Sequence, residues 1–189
     1  MKKVLIATSL LLASVSGHAV ESIHWDELTL AYNSADFDGP DMHGFSVTAS
    51  KLLGENVFIE GSYAQDSIDL TASDYDIDFD TYSLGLGYRH AISKQTDFYG
   101  KLSVSRVSFD YMSSSDSDTG YELELGIRSL ATDSLELGAN IGYQHINSDS
   151  DGYISGYARY HFKEDFALSL GHTISDGDSI TSIAAVIAF

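Results

Sequence analysis

Seven histidines and 28 acidic residues are the side chains that offer this chain reactive chemistry, and there is no cysteine among them. His161 has the most polar surroundings, with Arg159 beside it and Ser155 and Tyr157 upstream on the same strand face. A hydrolase needs a nucleophile, a base and an acid that hold one another in position. The histidines are scattered, and no Ser-His-Asp grouping stands out. We therefore predict that the chain is not an enzyme, and we keep enzyme as the weakest functional alternative.

Acidic residues cluster in two stretches that resemble parts of calcium sites. Asp149 and Asp151 precede Gly152, and aspartate occupies every second position from Asp74 to Asp80. Neither stretch is a complete twelve-residue calcium loop with a terminal glutamate. We predict no metal and no cofactor, with weak Ca²⁺ or Mg²⁺ binding by the acidic segments as the alternative. The net charge of −18 argues against nucleic acid as a partner.

The elements that must position these side chains are β-strands. Alternation of apolar and polar residues with a period of two dominates the chain, and no long segment with a helical period competes with it. The pattern predicts an all-β chain with ten strands, at approximately 23–34, 44–54, 56–68, 78–91, 97–110, 118–130, 134–147, 152–162, 166–175 and 179–189.

The first 19 residues have the layout of a secretory signal peptide. Residues 1–3 are basic at two positions, 4–15 form an apolar run, and small residues occupy the −3 and −1 positions before the bond that follows Ala19. The apolar run is too short for a hydrocarbon core that needs about 20 residues. We predict cleavage after Ala19 and a single domain over 20–189.

The two faces of the predicted strands favour a membrane barrel over a soluble sandwich. One face is apolar, with tyrosine and phenylalanine near its ends, and the other carries charged, polar and small residues. Short connections alternate with acidic ones, and the acidic set (35–43, 65–80, 110–119, 147–152 and 175–179) holds more than half of the acidic residues and no Lys or Arg. Transmembrane barrels combine these features with short periplasmic turns and longer outer loops. The sequence predicts a transmembrane antiparallel up-and-down β-barrel of ten strands with both termini in the periplasm; eight strands is the alternative.

The last predicted strand is apolar and ends on an aromatic residue, within the stretch SITSIAAVIAF. Its apolar face must be covered by lipid and its edge must be paired, because unpaired backbone groups are costly in a bilayer. We therefore expect it to close the barrel against the first strand. We assign an assembly signal to its alternating face, which consists of Ile183, Ala185, Ile187 and Phe189.

The polar face carries charges of both signs, which would point into the lumen. Buried charges require partners, and a barrel little larger than eight strands leaves a narrow bore. We therefore interpret these residues as an ion-paired filling of the lumen, with a narrow polar pore or gate as the alternative. The predicted network consists of Glu27, Glu60, Arg89, Lys101, Glu122, Glu124, Arg128, Glu136, Arg159 and His161.

The apolar face changes sides near the outer ends of three neighbouring strands. Beyond Tyr63, Tyr82 and Val104 the outward positions become polar and the inward positions become apolar. Strands that leave the bilayer need this inversion, because water then covers their outer side. We predict an apolar lip above the membrane that stabilises the loops, or alternatively a mouth for an apolar ligand. The lip consists of Ile68, Leu70, Tyr75, Ile77, Phe79, Val107, Phe109 and Tyr111.

The signal peptide, the final amphipathic strand ending in Phe189 and the Gly-Tyr pairs at 87–88, 142–143 and 156–157 resemble the outer membrane protein beta-barrel domain family, which is related in architecture to the OmpA/OmpX-type barrels. The resemblance implies a porin-like cell envelope protein in a Gram-negative outer membrane, in contact with lipid and lipopolysaccharide and assembled by the outer-membrane insertion machinery. We expect a monomer with a structural or surface-interaction role and acidic extracellular loops. The alternatives are a narrow channel or uptake barrel for small, including apolar, solutes, and an outer-membrane enzyme.

Overall fold

The computed structural model describes residues 20, 22–36, 42–69, 76–111, 114–176 and 178–189, without the side chains at 69, 76, 77, 110, 111, 114 and 115. The described residues form ten strands, which are β1 (Glu27–Asp36), β2 (Met42–Leu53), β3 (Val57–Asp69), β4 (Asp76–Ser93), β5 (Thr96–Tyr111), β6 (Ser114–Thr132), β7 (Leu135–Ile146), β8 (Asp149–Lys163), β9 (Phe166–Ser175) and β10 (Asp178–Ala188). None of the described residues belongs to a helix long and apolar enough to cross a membrane.

The ten strands form one closed antiparallel barrel, in which each strand pairs with its neighbours in the sequence. The last strand, β10, pairs with β1 along its whole length, for example Leu30 with Ala185 and Tyr32 with Ile183. Every strand therefore has two hydrogen-bonded neighbours, and no edge is exposed. The ten-stranded prediction is confirmed, and the eight-stranded alternative is wrong because β8, β9 and β10 pair in sequence.

The outer surface of the barrel is apolar, as the alternation predicts. Side chains such as Leu84, Leu102 and Ile141 are more than half exposed, which is unusual for large aliphatic residues unless lipid covers them. Exposed and partly exposed aromatic side chains lie in two bands on the outer surface. One band contains the ring pairs Tyr32–Phe45 and Tyr63–Tyr82, and the other contains Tyr160, Phe162 and Phe166.

The two ends of the barrel differ in the length of their strands. At one end, here called the turn end, tight connections follow β2, β4, β6 and β8, and both β1 and β10 have their terminal ends there. The opposite end is called the mouth. The strands β4, β5 and β6 are 18, 16 and 19 residues long, whereas about 9–11 residues are enough to cross the membrane, and their extra length lies at the mouth. These three strands therefore project beyond the rest of the barrel.

Some predicted boundaries are wrong at the mouth and at the start of the barrel. Most of 110–119 is strand, because β5 continues to Tyr111 and β6 begins at Ser114, and β8 begins at Asp149 within the predicted connection 147–152. Polar residues are tolerated in these extensions because the strands are beyond lipid and the ladder satisfies their backbone groups. The first strand begins at Glu27 rather than at 23, and residues 23–26 have another role described below. The predicted signal peptide lies outside the described residues.

Candidate functional site: the lumen

The lumen of the barrel has a charged wall and a hydroxyl wall, each set by the inward positions of neighbouring strands. The charged wall is formed by inward positions of β3 to β8, which carry nine of the ten predicted network residues. The tenth, Glu27, lies on β1. The wall made by β8, β9, β10, β1 and β2 is lined mainly by small side chains, many of which carry a hydroxyl group, and it is called the hydroxyl wall. These include Thr29, Ser46, Ser155, Ser169, Thr173 and Ser182.

The turn end of the lumen is crossed by a buried ion-pair network, called the lower network. Glu136 on β7 is 0% exposed and accepts from Arg128 Nε at 2.8 Å. From the opposite wall, Glu27 accepts from Arg159 Nη1 at 2.8 Å and Arg128 Nη2 at 3.3 Å. His161 Nε2 lies 3.3 Å from Glu136. Two carboxylates and two guanidinium groups therefore balance across the bore, which satisfies the requirement that buried charges be paired.

Nearer the mouth, Lys101 is the centre of a second cluster, called the upper cluster. Its Nζ lies 2.8 Å from Glu60, 3.3 Å from Glu124 and 3.6 Å from Glu122. Glu124 also accepts from Tyr99 at 2.5 Å. One ammonium group therefore faces three carboxylates, so this level of the lumen carries an excess of acidic groups.

Arg89, the remaining member of the predicted network, belongs to neither cluster. Its Nη1 donates to Asp97 at 2.9 Å, and its Nε donates to the carbonyl of Glu55 at 3.0 Å. Asp97 is buried and also accepts from Trp25 Nε1 at 2.7 Å. Arg89 therefore fixes the side chain that anchors the segment before β1.

Val20 and residues 22–26 lie across the turn end and are called the plug. Val20, Ile23 and Trp25 are buried against Phe58, Tyr99 and Leu130 in the apolar cluster of the molecule. The Trp25 ring lies 4.5 Å from the ring of Phe58, and Arg128 lies 4.7 Å above the indole. The plug therefore covers the lower network from below.

Sequence reasoning missed the plug, although a signal for it was present. Ile23 and Trp25 share the parity of Glu27, which faces the lumen, so a strand through them would place two large apolar residues on the polar face. A strand over 23–26 is wrong for this reason, and the segment crosses the bore instead.

Asp26 attaches the plug to the rim of the barrel. Its carboxylate accepts from Lys51 Nζ at 2.7 Å and from the backbone N–H of Leu52 at 2.6 Å. The hydrogen bond from Lys51, followed by that from the Leu52 amide, holds the pKa of Asp26 below its ordinary value of 3.8. The backbone of Asp26 also accepts from Phe189 N at 3.1 Å. The plug and the end of β10 therefore meet at one place.

Four inward glycines allow aromatic rings to lie flat against the lumen wall. A Cβ at Gly138 would overlap the ring of Tyr157, and one at Gly142 would overlap the ring of Tyr153. The same holds for Gly87 under Phe58 and Gly126 under Tyr99. Tyr157 is held there to donate to Glu136 at 2.6 Å, and Tyr153 to donate to Glu124 at 3.1 Å.

Two neighbouring spaces extend along the hydroxyl wall above the lower network. One has a volume of about 230 Å³ and reaches Arg159 at its floor. The other has a volume of about 320 Å³ and is lined by Glu124, Asn140 and Tyr153 nearer the mouth. Ser155 and Thr173 line both. The lumen is therefore filled by side chains at the turn end and contains open volume toward the mouth.

The predicted lip lies partly within the described residues. Phe79 on β4 is directly opposite Phe109 on β5, and their rings meet edge to face at 5.3 Å. Ile68 and Val107 are half-buried nearby on inward positions, whereas Asp78 is exposed. Leu70 and Tyr75 lie outside the described residues, and the side chains of Ile77 and Tyr111 are not described.

The residues assigned to the assembly signal lie on the outward face of β10. Ile183 is paired with Tyr32, and Ile187 with Leu28, at the seam where the barrel closes. Phe189 is 67% exposed, and Lys51 lies 5.3 Å over its ring. The alternating face, with Ala185, thus borders the seam.

The chain is matched over residues 5–184 by the family model described as "Outer membrane protein beta-barrel domain". The chain belongs to this family. It is an outer-membrane β-barrel, and the resemblance seen in the sequence is confirmed. Comparison with curated proteins gives no significant match.

Solved structures similar to this chain include two porins and the outer membrane protein Ail. The NanC porin is 8% identical with a TM-score of 0.52, and the match covers 86% of this chain and 98% of that one. The KdgM porin is 10% identical with a TM-score of 0.50, covering 85% and 99%. The outer membrane protein Ail of Yersinia pestis is 15% identical with a TM-score of 0.46, covering 87% and 99%. At these identities the likeness extends to the fold alone.

Neither a metal site nor a catalytic grouping emerges from the described side chains. No group of three or more His, Asp or Glu suited to a metal occurs among the residues that the structure describes. His145 contacts Ser150 at 2.6 Å and His172 contacts Thr181 at 3.1 Å, but both pairs lie on the outward face of the barrel rather than in a cleft.

Proposed function

We propose that this barrel has a structural or surface-interaction role and acts from the outer side of the outer membrane without conducting ions. The observation that carries the proposal is the seal at the turn end, where the plug covers the lower network. Short turns face the periplasm in barrels of this kind. The seal would then face the periplasm, and the mouth and its acidic loops would face the surroundings of the cell.

The seal at the turn end supports a closed barrel because each buried charge in the lower network needs its partner to stay in place. Removing one partner from a buried ion pair costs about 3–5 kcal/mol, since a charge is left without compensation. The lower network crosses the bore from Glu27 to Arg128 and Arg159, so a path for ions would require several such contacts to break together. The buried indole of Trp25 adds an apolar layer beneath it.

Single-channel recording in planar bilayers tests this proposal. The wild-type barrel is expected to carry no measurable ionic current. A variant that lacks residues 20–25 is expected to show current fluctuations, because the lower network is then exposed to water. Reproducible steps from the wild-type protein would contradict the proposal. Insertion is checked in both cases by the shift in gel mobility that folded barrels show before heating.

A narrow channel for small solutes is the second candidate, and the two spaces along the hydroxyl wall favour it. In that case the wild-type barrel conducts ions when the plug moves out of the lumen, and neutralising Arg89 or Arg128 changes the single-channel conductance. Arg89 is informative because it holds Asp97 and, through it, Trp25. Silence of Arg89→Gln together with wild-type silence would exclude this candidate.

We also propose that the described lip residues hold the projecting strands upright. Burying an aromatic side chain is worth about 1.5–3 kcal/mol, and the Phe79–Phe109 pair is flanked by aspartates that repel one another. Replacing both phenylalanines by Ser is expected to make the 65–80 hairpin sensitive to protease while the membrane part stays folded. Uptake or binding of an apolar solute that is lost without any change in cleavage would favour a ligand mouth instead.

A further inference from the structure

The hydroxyl wall is the feature of the lumen that the seal does not use. Its Ser and Thr side chains line the two neighbouring spaces, and each hydroxyl can both donate and accept. Within it, Thr173 Oγ1 donates to Ser155 Oγ at 3.0 Å and Asn33 Nδ2 donates to Ser46 Oγ at 3.2 Å. A surface of alternating donors and acceptors matches a molecule that carries several hydroxyl groups.

Arg159 provides a buried donor at the floor of this wall. Its two terminal nitrogens bind Glu27, but in the described part of the chain its Nε has no hydrogen-bond partner, although the side chain is only 8% exposed. Buried donors are almost always paired. Arg159 lines the 230 Å³ space, but its Nε is itself shielded, so the guanidinium group forms the floor of the space and its buried N–H does not reach a ligand there.

Acceptors and ring faces border the spaces beside the hydroxyl groups. Tyr153 and Tyr157 lie flat over glycines, which leaves room beside them, and Glu124 borders the larger space. The amide oxygen of Asn140 is buried there without a partner among the described residues. An empty cavity of about 150 Å³ is enough to bind benzene, so either space can hold a ring of similar size.

Charge decides which molecules can reach the wall. Asp66, Asp118, Asp151 and Asp178 occupy inward positions close to the mouth, and the upper cluster adds three glutamates around one lysine. A mouth lined by one sign of charge repels ligands of that sign. Anions are therefore disfavoured at every level above Arg159.

We infer that the lumen between the mouth and Arg159 is a binding site for a small polyhydroxylated solute that carries no negative charge. The hydroxyl wall binds its hydroxyl groups, Arg159 forms the floor of the site, and the tyrosine rings pack against its carbon face. This inference deepens the proposed function, because a lumen that is closed below holds what enters from outside.

Three probes of the same ring size test the inference: glucose, glucosamine and glucuronate. Each is titrated against the wild-type barrel in nanodiscs by saturation-transfer NMR. Glucose and the cationic glucosamine are expected to bind in the millimolar range, and glucuronate is expected to bind at least tenfold more weakly. Equal binding of glucuronate overturns the charge argument, and no binding of any probe means that only water occupies the lumen, which overturns the inference.

Matched variants locate the site. Thr173→Val keeps the shape of the side chain and removes a hydroxyl that lines both spaces, so the Kd for glucose is expected to rise roughly twofold to twelvefold. Thr181→Val makes the same change on the outward face of β10 and is expected to leave the Kd unchanged. A Kd that Thr173→Val leaves unchanged overturns the site, and Ser182→Ala replaces this variant where it does not fold.

Conductance of the same preparations separates the two proposals. Silent barrels that bind no probe leave the proposed function standing without this site. Conducting wild-type barrels remove the proposed function, whatever the probes do.

Discussion

Neutralising Glu136 is expected to destabilise the whole barrel, because this carboxylate is fully buried and serves four neighbours. It lies 2.8 Å from Arg128 Nε, 2.6 Å from the hydroxyl of Tyr157 and 3.6 Å from Arg159. In Glu136→Gln, two guanidinium groups share the single carboxylate of Glu27. Loss of one partner from a buried pair costs about 3–5 kcal/mol, and the Coulomb energy of two charges 4 Å apart at an effective dielectric constant of 20 is similar, about 4 kcal/mol.

The free energy of unfolding is measured by urea titration of the barrel in detergent micelles, followed by circular dichroism. The midpoint is expected to fall with an unchanged slope, since the same surface is exposed on unfolding. Glu164→Gln is the control, because Glu164 is exposed in the turn between β8 and β9, and a change within about 0.5 kcal/mol is expected there.

A second variant makes the reasoning sharper. Combining Glu136→Gln with Arg128→Met restores the balance between Glu27 and Arg159, so the double variant is expected to lose less than the sum of the two single changes. A loss below about 1 kcal/mol for Glu136→Gln, or strict additivity of the pair, would refute the view that the lower network is a set of mutually compensated buried charges.

Three further outcomes are expected. Trp25→Ala should destabilise the barrel by about 3–5 kcal/mol and admit water to the turn end, as measured by urea titration and by hydrogen exchange of the backbone amides. Gly138→Ala should push the ring of Tyr157 off the wall and cost about 1–3 kcal/mol, whereas Gly152→Ala, whose Cβ would meet an atom only at 3.8 Å, should be tolerated. The depressed pKa of Asp26 means that its carboxylate stabilises the plug fully above pH 3.8 and loses this effect as the pH falls through the lowered pKa. The fluorescence of Trp25, the only tryptophan, should therefore differ between wild type and Asp26→Asn at neutral pH and converge in acid; a difference that persists in acid would count against the role of Asp26.

The sequence determined the barrel because alternation is a local property. Each strand shows its lipid face every second residue, as at Leu84, Leu86 and Tyr88, and this signal does not depend on what the strand pairs with. The inversion at the lip was visible for the same reason, and Phe79 and Phe109 face each other in the structure. The sequence did not locate the ends of the strands, since polar strand extensions beyond the bilayer resemble loops in composition.

Tertiary structure decided the partners within the lumen. Glu27 and Arg159 are separated by 132 residues, and Trp25 and Asp97 by 72, so their contact depends on closure of β1 against β10 and on the register of every strand between them. The sequence named the charged residues but could not distribute them between the lower network, the upper cluster and Arg89. The parity of Ile23 and Trp25 indicates that 23–26 does not continue as a strand, but the sequence could not show what this segment packs against. Only a closed barrel has an end that an apolar segment can cover. For this physical reason the plug, and the open hydroxyl wall above it, were decided by the tertiary structure and not by the sequence pattern.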